Sequence, residues 1–352
     1  MFTGQMRKEK IMRHVQIILG PPGTGKTTTL LNIVEQSLAR GIEPERIAYL
    51  AFTRKAAHEA QERAMEKFGF DTGRFPFFRT LHSLAFKRLG LKRDEIMTDK
   101  HFRNIGKAMG IEFKGIYDED LGVHVGMGLG DKCSRVESLS RVGLRSLERQ
   151  YEYVNENDLS FHAVKQYSDA LVKYKKQNKL LDFTDMLEKF HEPLPIDICI
   201  IDEAQDLSSL QYRMAITASQ YAKEVYIAGD DDQAIFGWAG ADVKKFLSLK
   251  GDQMILPQSF RVPQKIHRLA TDVVNRIKSR YVKPYNSKLD SGEVEYVSDE
   301  QEIDFSKKGS WLCMGRSKYT LYRLKQVVRQ QGYGYIYIGK SSLDTDETRA
   351  IM

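Results

Sequence analysis

Short apolar runs alternate with longer amphipathic stretches over the first part of this chain. Val15–Leu19 is rich in β-branched residues and ends at Gly20, which is typical of a buried strand that leads into a tight turn. The spacing of apolar residues predicts a helix over Lys26–Arg40, a strand over Ile47–Phe52 and a second helix over Arg54–Phe68. This order of strand, helix, strand and helix is typical of a parallel α/β sheet.

The middle of the chain departs from this pattern and then returns to it. Residues 91–178 carry many charges at helical spacing, which predicts a helical insertion in the α/β domain. Within them, residues 122–134 are rich in glycine and predict a mobile loop. Apolar runs at Ile196–Ile201, Glu224–Ala228 and Met254–Leu256 predict three more strands of the sheet.

The last part of the chain predicts a second, shorter α/β unit. Its expected elements are helices over Gln264–Ser279 and Lys318–Gln331 and strands over Val294–Val297, Ser310–Met314 and Tyr335–Ile338. The sequence therefore predicts three domains. They are a first α/β domain in residues 1–90 and 179–262, the helical insertion in residues 91–178, and a partial second α/β domain in residues 263–352.

Composition narrows the class of protein without identifying a function. The chain has 352 residues, of which 41% are hydrophobic and 29% charged, so it is long enough for two cores and is not of a disordered composition. The formal net charge of +7 is compatible with a polyanionic partner, although many basic proteins bind no nucleic acid.

Cysteine usage and hydropathy predict an intracellular setting. The three cysteines, Cys133, Cys199 and Cys313, are far apart and odd in number, which supports neither a zinc site nor a disulfide framework. No apolar run approaches the roughly 20 residues of a membrane span, and the basic N-terminus lacks the apolar core of a secretory signal. We therefore expect a cytoplasmic protein, of a bacterium or of a phage-infected host cell, with no membrane partner.

The strongest chemical signal is GPPGTGKT at residues 20–27, which fits the P-loop pattern in full between a predicted strand and a predicted helix. Gly23 and Gly25 allow a tight turn whose N–H groups face phosphate oxygens. Lys26 is expected to neutralise charge on the β- and γ-phosphates, and Thr27 to offer Mg²⁺ a hydroxyl ligand. A chance glycine-rich turn is the alternative, which the flanking elements disfavour. The predicted residues for binding ATP are Gly20, Pro21, Pro22, Gly23, Thr24, Gly25, Lys26, Thr27 and Thr28.

A P-loop site also needs an acid at the end of another buried strand, and ICIIDEAQD at residues 198–206 supplies one. Asp202 directly follows the apolar run and is predicted to hold Mg²⁺. Glu203 is predicted to act as the general base that polarises the attacking water. Acidic residues also end strands and cap helices for structural reasons alone, but the pairing with a P-loop favours the catalytic interpretation.

Several segments resemble, in the right order, the motifs of the UvrD/Rep-like superfamily 1 DNA helicases. DEAQD resembles their motif II. The others are AFTRKAAHEA at 51–60 (motif Ia), RTLHSLAF at 79–86 (the TxH motif), LDFTDML at 181–187 (the acidic-aromatic segment), GDDDQAIFGWAGAD at 229–242 (motif III) and QSFR at 258–261 (motif IV). The resemblance covers about 240 residues and implies a P-loop NTPase fold of the RecA-like type.

The resemblance implies a role for each matching position around the nucleotide. Gln233 is expected near the γ-phosphate and the attacking water, and Arg261 is expected to reach the γ-phosphate as an arginine finger. Phe260 stands where the family often has tyrosine and is expected to stack on the adenine. Gln5 precedes the P-loop at about the distance of the family's adenine-reading glutamine, although the surrounding pattern is absent.

The resemblance also implies a surface for single-stranded DNA. The matching positions are Phe52, Thr53, Arg54, His82, Phe236 and Trp238. Aromatic faces stack on unpaired bases without reading a sequence, which suits this assignment. The alternative is that Phe52 and Phe236 are core residues and that His82 is a structural histidine.

The chain departs from the family pattern in two places. Ala239 occupies the position after the motif III tryptophan where the family often has a basic residue. Motifs V and VI are not found in residues 262–352, and the match ends near GRSKYT at residues 315–320. The chain is therefore expected to be truncated relative to a complete motor.

Three functions remain open at this point. The resemblance implies an ATP-dependent 3′ to 5′ DNA helicase or translocase that uses ATP and Mg²⁺ and binds single-stranded DNA and single-strand/duplex junctions. A truncated ATP- and DNA-binding module without unwinding activity is the alternative. A P-loop kinase or a recombination ATPase is disfavoured by motifs Ia, III and IV. The pathway (repair or replication), a protein loading partner and the oligomeric state are not determined by the sequence.

Overall fold

A computed structural model of the chain describes residues 13–69, 71–119, 121–154, 158–315, 319–337 and 340–341. The chain divides into two compact units, Met1–Asp290 and Ser291–Met352. This division falls after Asp290, whereas the sequence pattern placed a boundary after residue 262. The extents of the three domains therefore stay a prediction.

The described residues form strands and helices whose bounds follow. The strands are β1 (His14–Leu19), β2 (Ile47–Ala51), β3 (Phe78–Thr80), β4 (Ile116–Asp118), β5 (Val123–Val125), β6 (Ile198–Ile201), β7 (Glu224–Gly229), β8 (Asp252–Ile255), β9 (Ile336–Tyr337) and β10 (Lys340–Ser341). The helices are α1 (Lys26–Ala39), α2 (Arg54–Phe68), α3 (Leu81–Arg88), α4 (Asp99–Met109), α5 (Leu129–Val142), α6 (Leu147–Val154), α7 (Phe161–Asn178), α8 (Phe183–Glu188), α9 (Ser209–Ala218), α10 (Val243–Leu247), α11 (Gln264–Val274) and α12 (Thr320–Gln330). None of these helices is long and apolar enough to cross a membrane.

A six-stranded parallel sheet with the strand order β3-β2-β6-β7-β1-β8 forms the centre of the first unit. Alternate residues of each strand face opposite sides, so Ile17 and Leu19 enter one core and Ile18 enters the other. Helices α1 and α2 cover the Ile18 side, while α3, α8 and α9 cover the Ile17 side. The predicted α/β fold with a parallel sheet is thus confirmed, and the short strand β3 is an addition that the sequence pattern missed.

The register of the central strands brings three chain segments to one edge of the sheet. Leu19 at the end of β1 pairs with Gly229 at the end of β7, and Ile201 at the end of β6 pairs with Ile227. Beyond these ends, the Gly20 N–H donates to the Gly229 carbonyl at 3.1 Å. Because all strands are parallel, the loops that follow β1, β6 and β7 lie side by side at the carboxyl edge, where α/β folds place their ligands.

The glycine-rich stretch at residues 122–134 is ordered structure, so the prediction of a mobile loop was wrong. Strand β5 pairs antiparallel with β4, and α5 begins at Leu129. A Cβ atom on Gly130 would lie 2.5 Å from the ring of Phe113, which shows that this glycine permits close packing. The carboxylate of Asp131 accepts hydrogen bonds from the backbone N–H groups of Gly115 at 3.0 Å and Gly128 at 2.9 Å.

The second unit contains α12 and the pair β9 and β10, with a small core of Phe305, Val327 and Val328. The strands predicted over Val294–Val297 and Ser310–Met314 are absent there, because these segments pair with no other strand among the described residues. Ile338 and residues 316–318 lie outside the described residues.

Helix α11 also ends earlier than predicted, at Val274 instead of Ser279. Downstream of it, Arg280 donates to the carboxylate of Asp232 at 2.6 and 2.7 Å, on the loop after β7. The chain leaves the helix before this contact, so a tertiary ion pair overrides the local helical pattern.

A mostly buried ion network joins the helical insertion to α8. Arg141 of α5 donates to Asp182 at 2.8 Å, to Asp185 at 2.6 Å and to Glu188 at 2.8 Å. Lys175 of α7 donates to Asp182 at 2.6 Å and to Asp185 at 2.9 Å. The acidic-aromatic segment LDFTDML therefore provides the carboxylates on which two helices of the insertion are anchored.

We predict that Arg141→Met lowers the free energy of unfolding by about 3 to 5 kcal/mol, because it leaves buried carboxylates without their main countercharge. Urea denaturation measures the change. Arg149→Met on the exposed side of α6 is the matched control and should alter the free energy by less than about 0.5 kcal/mol. Equal effects of the two substitutions would show that the network does not stabilise the fold.

Candidate nucleotide and nucleic-acid site

The predicted P-loop connects β1 to α1 at the carboxyl edge of the sheet. Gly23 and Gly25 have φ angles of 71° and 81°, a left-handed conformation that glycine adopts without a steric penalty. Gly25 is the N-cap of α1, and no side chain caps the first turn. The N–H groups at this helix end therefore face the loop, which is the arrangement that binds phosphate in other proteins.

Close contacts also require glycine at two positions of the P-loop. A Cβ atom on Gly20 would collide with the side chain of Lys26, and one on Gly23 would collide with Arg261. The Thr24 hydroxyl donates to the Pro21 carbonyl at 2.7 Å and closes the turn. These contacts hold the loop in a compact shape.

The acidic pair follows β6. Asp202 is 4% exposed and accepts a hydrogen bond from the Tyr49 hydroxyl at 2.6 Å. Burial, and then the charge of Glu203, raises the pKa of Asp202 above its usual range. Glu203 has a φ of 50°, which is strained for a residue with a Cβ, and its carboxylate accepts from the Lys26 ammonium at 2.8 Å.

The pair Asp202 and Thr27 fits the requirements of Mg²⁺. A buried carboxylate beside the P-loop supplies a hard oxygen, and Thr27 in the first turn of α1 supplies a hydroxyl. Magnesium in nucleotide sites is bound by one or two protein oxygens, with phosphates and waters as the other ligands.

A hydrogen-bonded chain connects the acidic pair to the loop after β7. The Gln205 amide nitrogen donates to Glu203 at 2.9 Å, and its amide oxygen accepts from the Asp230 N–H at 3.0 Å. The Gln233 amide then donates to the Asp230 carboxylate at 2.6 Å. Sequence reasoning predicted Gln233 and missed Gln205, although Gln205 stands within the DEAQD segment that marked the site.

The predicted motif IV segment lies directly on the P-loop. The Ser259 hydroxyl donates to the Pro22 carbonyl at 2.7 Å, and the Phe260 N–H donates to the Gly23 carbonyl at 2.9 Å. The ring of Phe260 is 74% exposed, and the Arg261 side chain is also exposed. Residues separated by more than 230 positions in the sequence thus meet at one site.

The three consecutive aspartates after β7 are neutralised by distant cations that sequence reasoning missed. The Lys283 side chain is only 1% exposed, and its ammonium group contacts Asp231 and lies 3.2 Å from Asp230 and 3.0 Å from Asp232. Three adjacent carboxylates indicate that a cation must lie nearby. The sequence does not indicate which of its 54 lysines and arginines supplies that charge.

Four of the six residues predicted to contact DNA line two separate cavities. Phe52, Arg54 and His82 line a cavity of about 660 Å³. Phe52 is 8% exposed, and its ring lies 5.4 Å from that of Phe236. Trp238 is 50% exposed and lines a different cavity, of about 530 Å³.

Thr53, Arg54 and His82 each contact other residues of the protein. The Thr53 hydroxyl accepts from the Ala56 N–H at 3.2 Å and so caps α2, and Arg54 pairs with Glu119 at 2.9 Å. The ring of His82 packs edge-on against Phe183 at 5.6 Å. Burial, and then the charge of Arg54, lowers the pKa of His82 to about 4, so the ring is neutral at pH 7. Gln5 lies outside the described residues.

A family model for the UvrD/REP helicase N-terminal domain matches residues 3–254. The chain belongs to the UvrD/REP helicase family. The matched residues include the P-loop, the acidic pair and the loop after β7. The predicted family resemblance is thereby confirmed.

Three curated relatives of this family illustrate the similarity. The chain is 24% identical over 316 residues to the ATP-dependent DNA helicase Rep of Buchnera aphidicola subsp. Baizongia pistaciae, covering 82% of this chain and 45% of that protein. It is 27% identical over 366 residues to a probable DNA helicase II homologue of Rickettsia felis, covering 93% and 51%. It is 25% identical over 334 residues to the ATP-dependent DNA helicase PcrA of Staphylococcus aureus, covering 87% and 44%. The chain thus spans about half the length of these relatives.

We predict that Lys283→Met loosens the loop after β7, because it removes the cation that three aspartates share. Hydrogen exchange followed by mass spectrometry should show faster exchange of the backbone amides in residues 229–242. Lys278→Met, at an exposed position of the same segment, is the control and should leave exchange unchanged. Unchanged protection in the Lys283 variant would contradict the assigned role.

The lowered pKa of His82 predicts a defined acid sensitivity. In the unfolded chain a histidine takes up its proton near pH 6.5, whereas His82 in the folded protein does so near pH 4. The contribution of His82 to the free energy of unfolding is therefore fully present above pH 6.5 and decreases as the pH falls toward 4. Between pH 7 and pH 5, the wild type should lose about 1 to 2 kcal/mol more unfolding free energy than His82→Gln. Urea titrations measure this difference, and a variant at the exposed His162 should show none.

Proposed function

We propose that this chain is the ATP-binding part of an ATP-dependent DNA helicase that moves 3′ to 5′ along single-stranded DNA. The observation that carries the proposal is the meeting of the P-loop, the acidic pair and the motif IV segment at one edge of the sheet, linked by hydrogen bonds to the loop that bears Phe236 and Trp238. The names of the relatives support ATP-dependent action on DNA.

Phosphate binding begins with the backbone of the P-loop and the side chain of Lys26. The N–H groups at the start of α1 and the ammonium group would surround the β- and γ-phosphates. Lys26 lies 2.8 Å from Glu203 in this structure, so an arriving γ-phosphate would compete with Glu203 for the cation. Binding of ATP would thereby free the Glu203 carboxylate to act on water.

Hydrolysis requires a positioned water and stabilisation of the charge that develops on the phosphate. Mg²⁺, held by Thr27 and Asp202, would neutralise negative charge between the phosphates. Glu203 would orient the water and accept its proton, and the Tyr49 hydrogen bond would hold Asp202 in place. Arg261 would reach the γ-phosphate, while the exposed ring of Phe260 would stack on the adenine.

Coupling between the nucleotide and DNA would pass through the amides of Gln205 and Gln233. When Glu203 changes its partner, the hydrogen bond from Gln205 changes with it, and Gln205 also holds the backbone of Asp230. Asp230 in turn accepts from Gln233, three residues before Phe236. A change at the γ-phosphate would therefore alter the loop that carries the aromatic residues.

The DNA surface would combine aromatic stacking on bases with polar and cationic contacts to the DNA backbone. Phe52, Phe236 and Trp238 would stack on bases, and Thr53 and Arg54 would contact the backbone. Because His82 is neutral at pH 7, it would donate or accept a hydrogen bond and not bind phosphate by charge. Single-strand/duplex junctions are the expected substrates for unwinding.

The test is steady-state ATP hydrolysis with and without an oligo-dT strand. We expect DNA to stimulate turnover and Lys26→Ala to lower the stimulated rate by at least about 100-fold, because the variant loses the charge that stabilises the transferred phosphate. Lys250→Ala, an exposed position, is the control and should retain full turnover.

Two outcomes would contradict the proposal. Turnover that survives in Lys26→Ala would place ATP hydrolysis elsewhere. Tight binding of ATP and oligo-dT with negligible turnover would instead identify a binding module without motor activity. Displacement of a duplex that carries either a 3′ or a 5′ single-stranded tail tests the direction of movement.

A further inference from the structure

The cavity beside Trp238 combines exposed aromatic and cationic groups from two parts of the first unit. One side is formed by the loop after β7, with Trp238 and Asp242. The other is formed by α5, α6 and the turn between them, with Arg135, Tyr153 and Arg145 respectively. Its volume is about 530 Å³, enough for one nucleotide unit. Trp238 is 50% exposed and Tyr153 is 78% exposed.

The two sides of the cavity are fixed against each other. Gly240 has a φ of 100°, and a Cβ atom at this position would lie 2.8 Å from a methyl group of Val142 at the end of α5. Any larger residue would push the loop away from the helix. This packing places the loop that bears Trp238 directly against the end of α5.

Two contacts orient the side chain of Arg145, which lies in the turn between α5 and α6. The Arg145 guanidinium donates to the amide oxygen of Gln150 at 3.1 Å, and it lies 5.3 Å from the ring centre of Tyr153. Gln150 is 3% exposed and is therefore a rigid acceptor. No carboxylate pairs with Arg145 among the residues that the structure describes. Among the described residues that line the cavity, the one acid is Asp242, which accepts hydrogen bonds from the Ser209 hydroxyl at 2.5 Å and from the Lys245 N–H at 3.0 Å.

Under the proposed function, Trp238 stacks on a base of single-stranded DNA. We propose that Arg145 and Arg135 of the helical insertion bind the phosphate of that same nucleotide in this cavity. The arginines of the helical insertion would thereby supply the positive charge that Ala239, 8% exposed and uncharged, does not provide within the loop itself. An arginine pairs with phosphate through two N–H groups, and a tryptophan stacks on any base, so the subsite would be independent of sequence. This inference rests on the proposed binding of single-stranded DNA.

The experiment measures the binding of a fluorescent oligo-dT strand by anisotropy at several salt concentrations. Arg145→Gln should weaken binding by about 10-fold and reduce the slope of log Kd against log salt concentration by about one. Arg149→Gln, an exposed position of α6 outside the cavity, is the matched control and should bind as the wild type does.

A double substitution and a spectroscopic signal make the test specific. Trp238→Ala and Arg145→Gln should be less than additive in their effect on Kd, because they bind the same nucleotide. The chain has two tryptophans, so in a Trp311→Phe background oligo-dT should quench the emission of Trp238 alone. Retained nucleotide binding at the P-loop would show that each variant is folded.

The outcomes separate this inference from the proposed function. If the wild type binds no oligo-dT, the proposed DNA binding fails, and the subsite fails with it. If the wild type binds but Arg145→Gln has the same Kd and the same salt slope, only the subsite is overturned. Additive effects of the two substitutions would likewise overturn it, since the residues would then act on separate parts of the strand.

Discussion

The parallel pairing of β6, β7 and β1 is the constraint on which the candidate site depends. It fixes Leu19 opposite Gly229 and Ile201 opposite Ile227, so that the segments after these strands leave the sheet at one edge. The P-loop, the acidic pair and the aspartate-rich loop have no other reason to be close, because up to about 200 residues of sequence separate them. A shift of one residue in any of these registers would exchange the residues that face the two cores, so the different packing on each side of the sheet maintains the site.

Buried charge is concentrated where the chain must join distant segments. Lys283 lies among three aspartates, and Arg141 and Lys175 lie among the carboxylates of LDFTDML. Such pairs add little net stability compared with apolar packing, but the loss of one member is costly because its partner stays buried. Their effect is geometric: they fix the loop after β7 against the segment that follows motif IV, and the helical insertion against α8.

The sequence predicts the strands of the sheet and the reactive groups of the site well. It predicts poorly which residues pack against or pair with one another over long distances in the chain. The P-loop, α2 and β6 follow from local patterns of apolar spacing and glycine placement, and their bounds agree closely with the structure. The glycine content of residues 122–134 predicts a loop because glycine usually increases backbone freedom, whereas Gly130 here permits close packing against Phe113. Helix α11 ends early because Arg280 forms an ion pair with Asp232, a contact that no local pattern can indicate.

The sequence by itself determined which residues can carry phosphate chemistry, since Lys26, Asp202 and Glu203 are recognisable from their position after apolar strands. Only the tertiary structure decided how these groups are connected. The hydrogen bonds through Gln205, the neutral state of His82, and the separation of Phe52 and Trp238 into two cavities all depend on contacts between residues far apart in the chain. Local patterns reflect backbone propensity and burial periodicity, whereas protonation states, partners and cavities are set by whatever the fold packs beside each group.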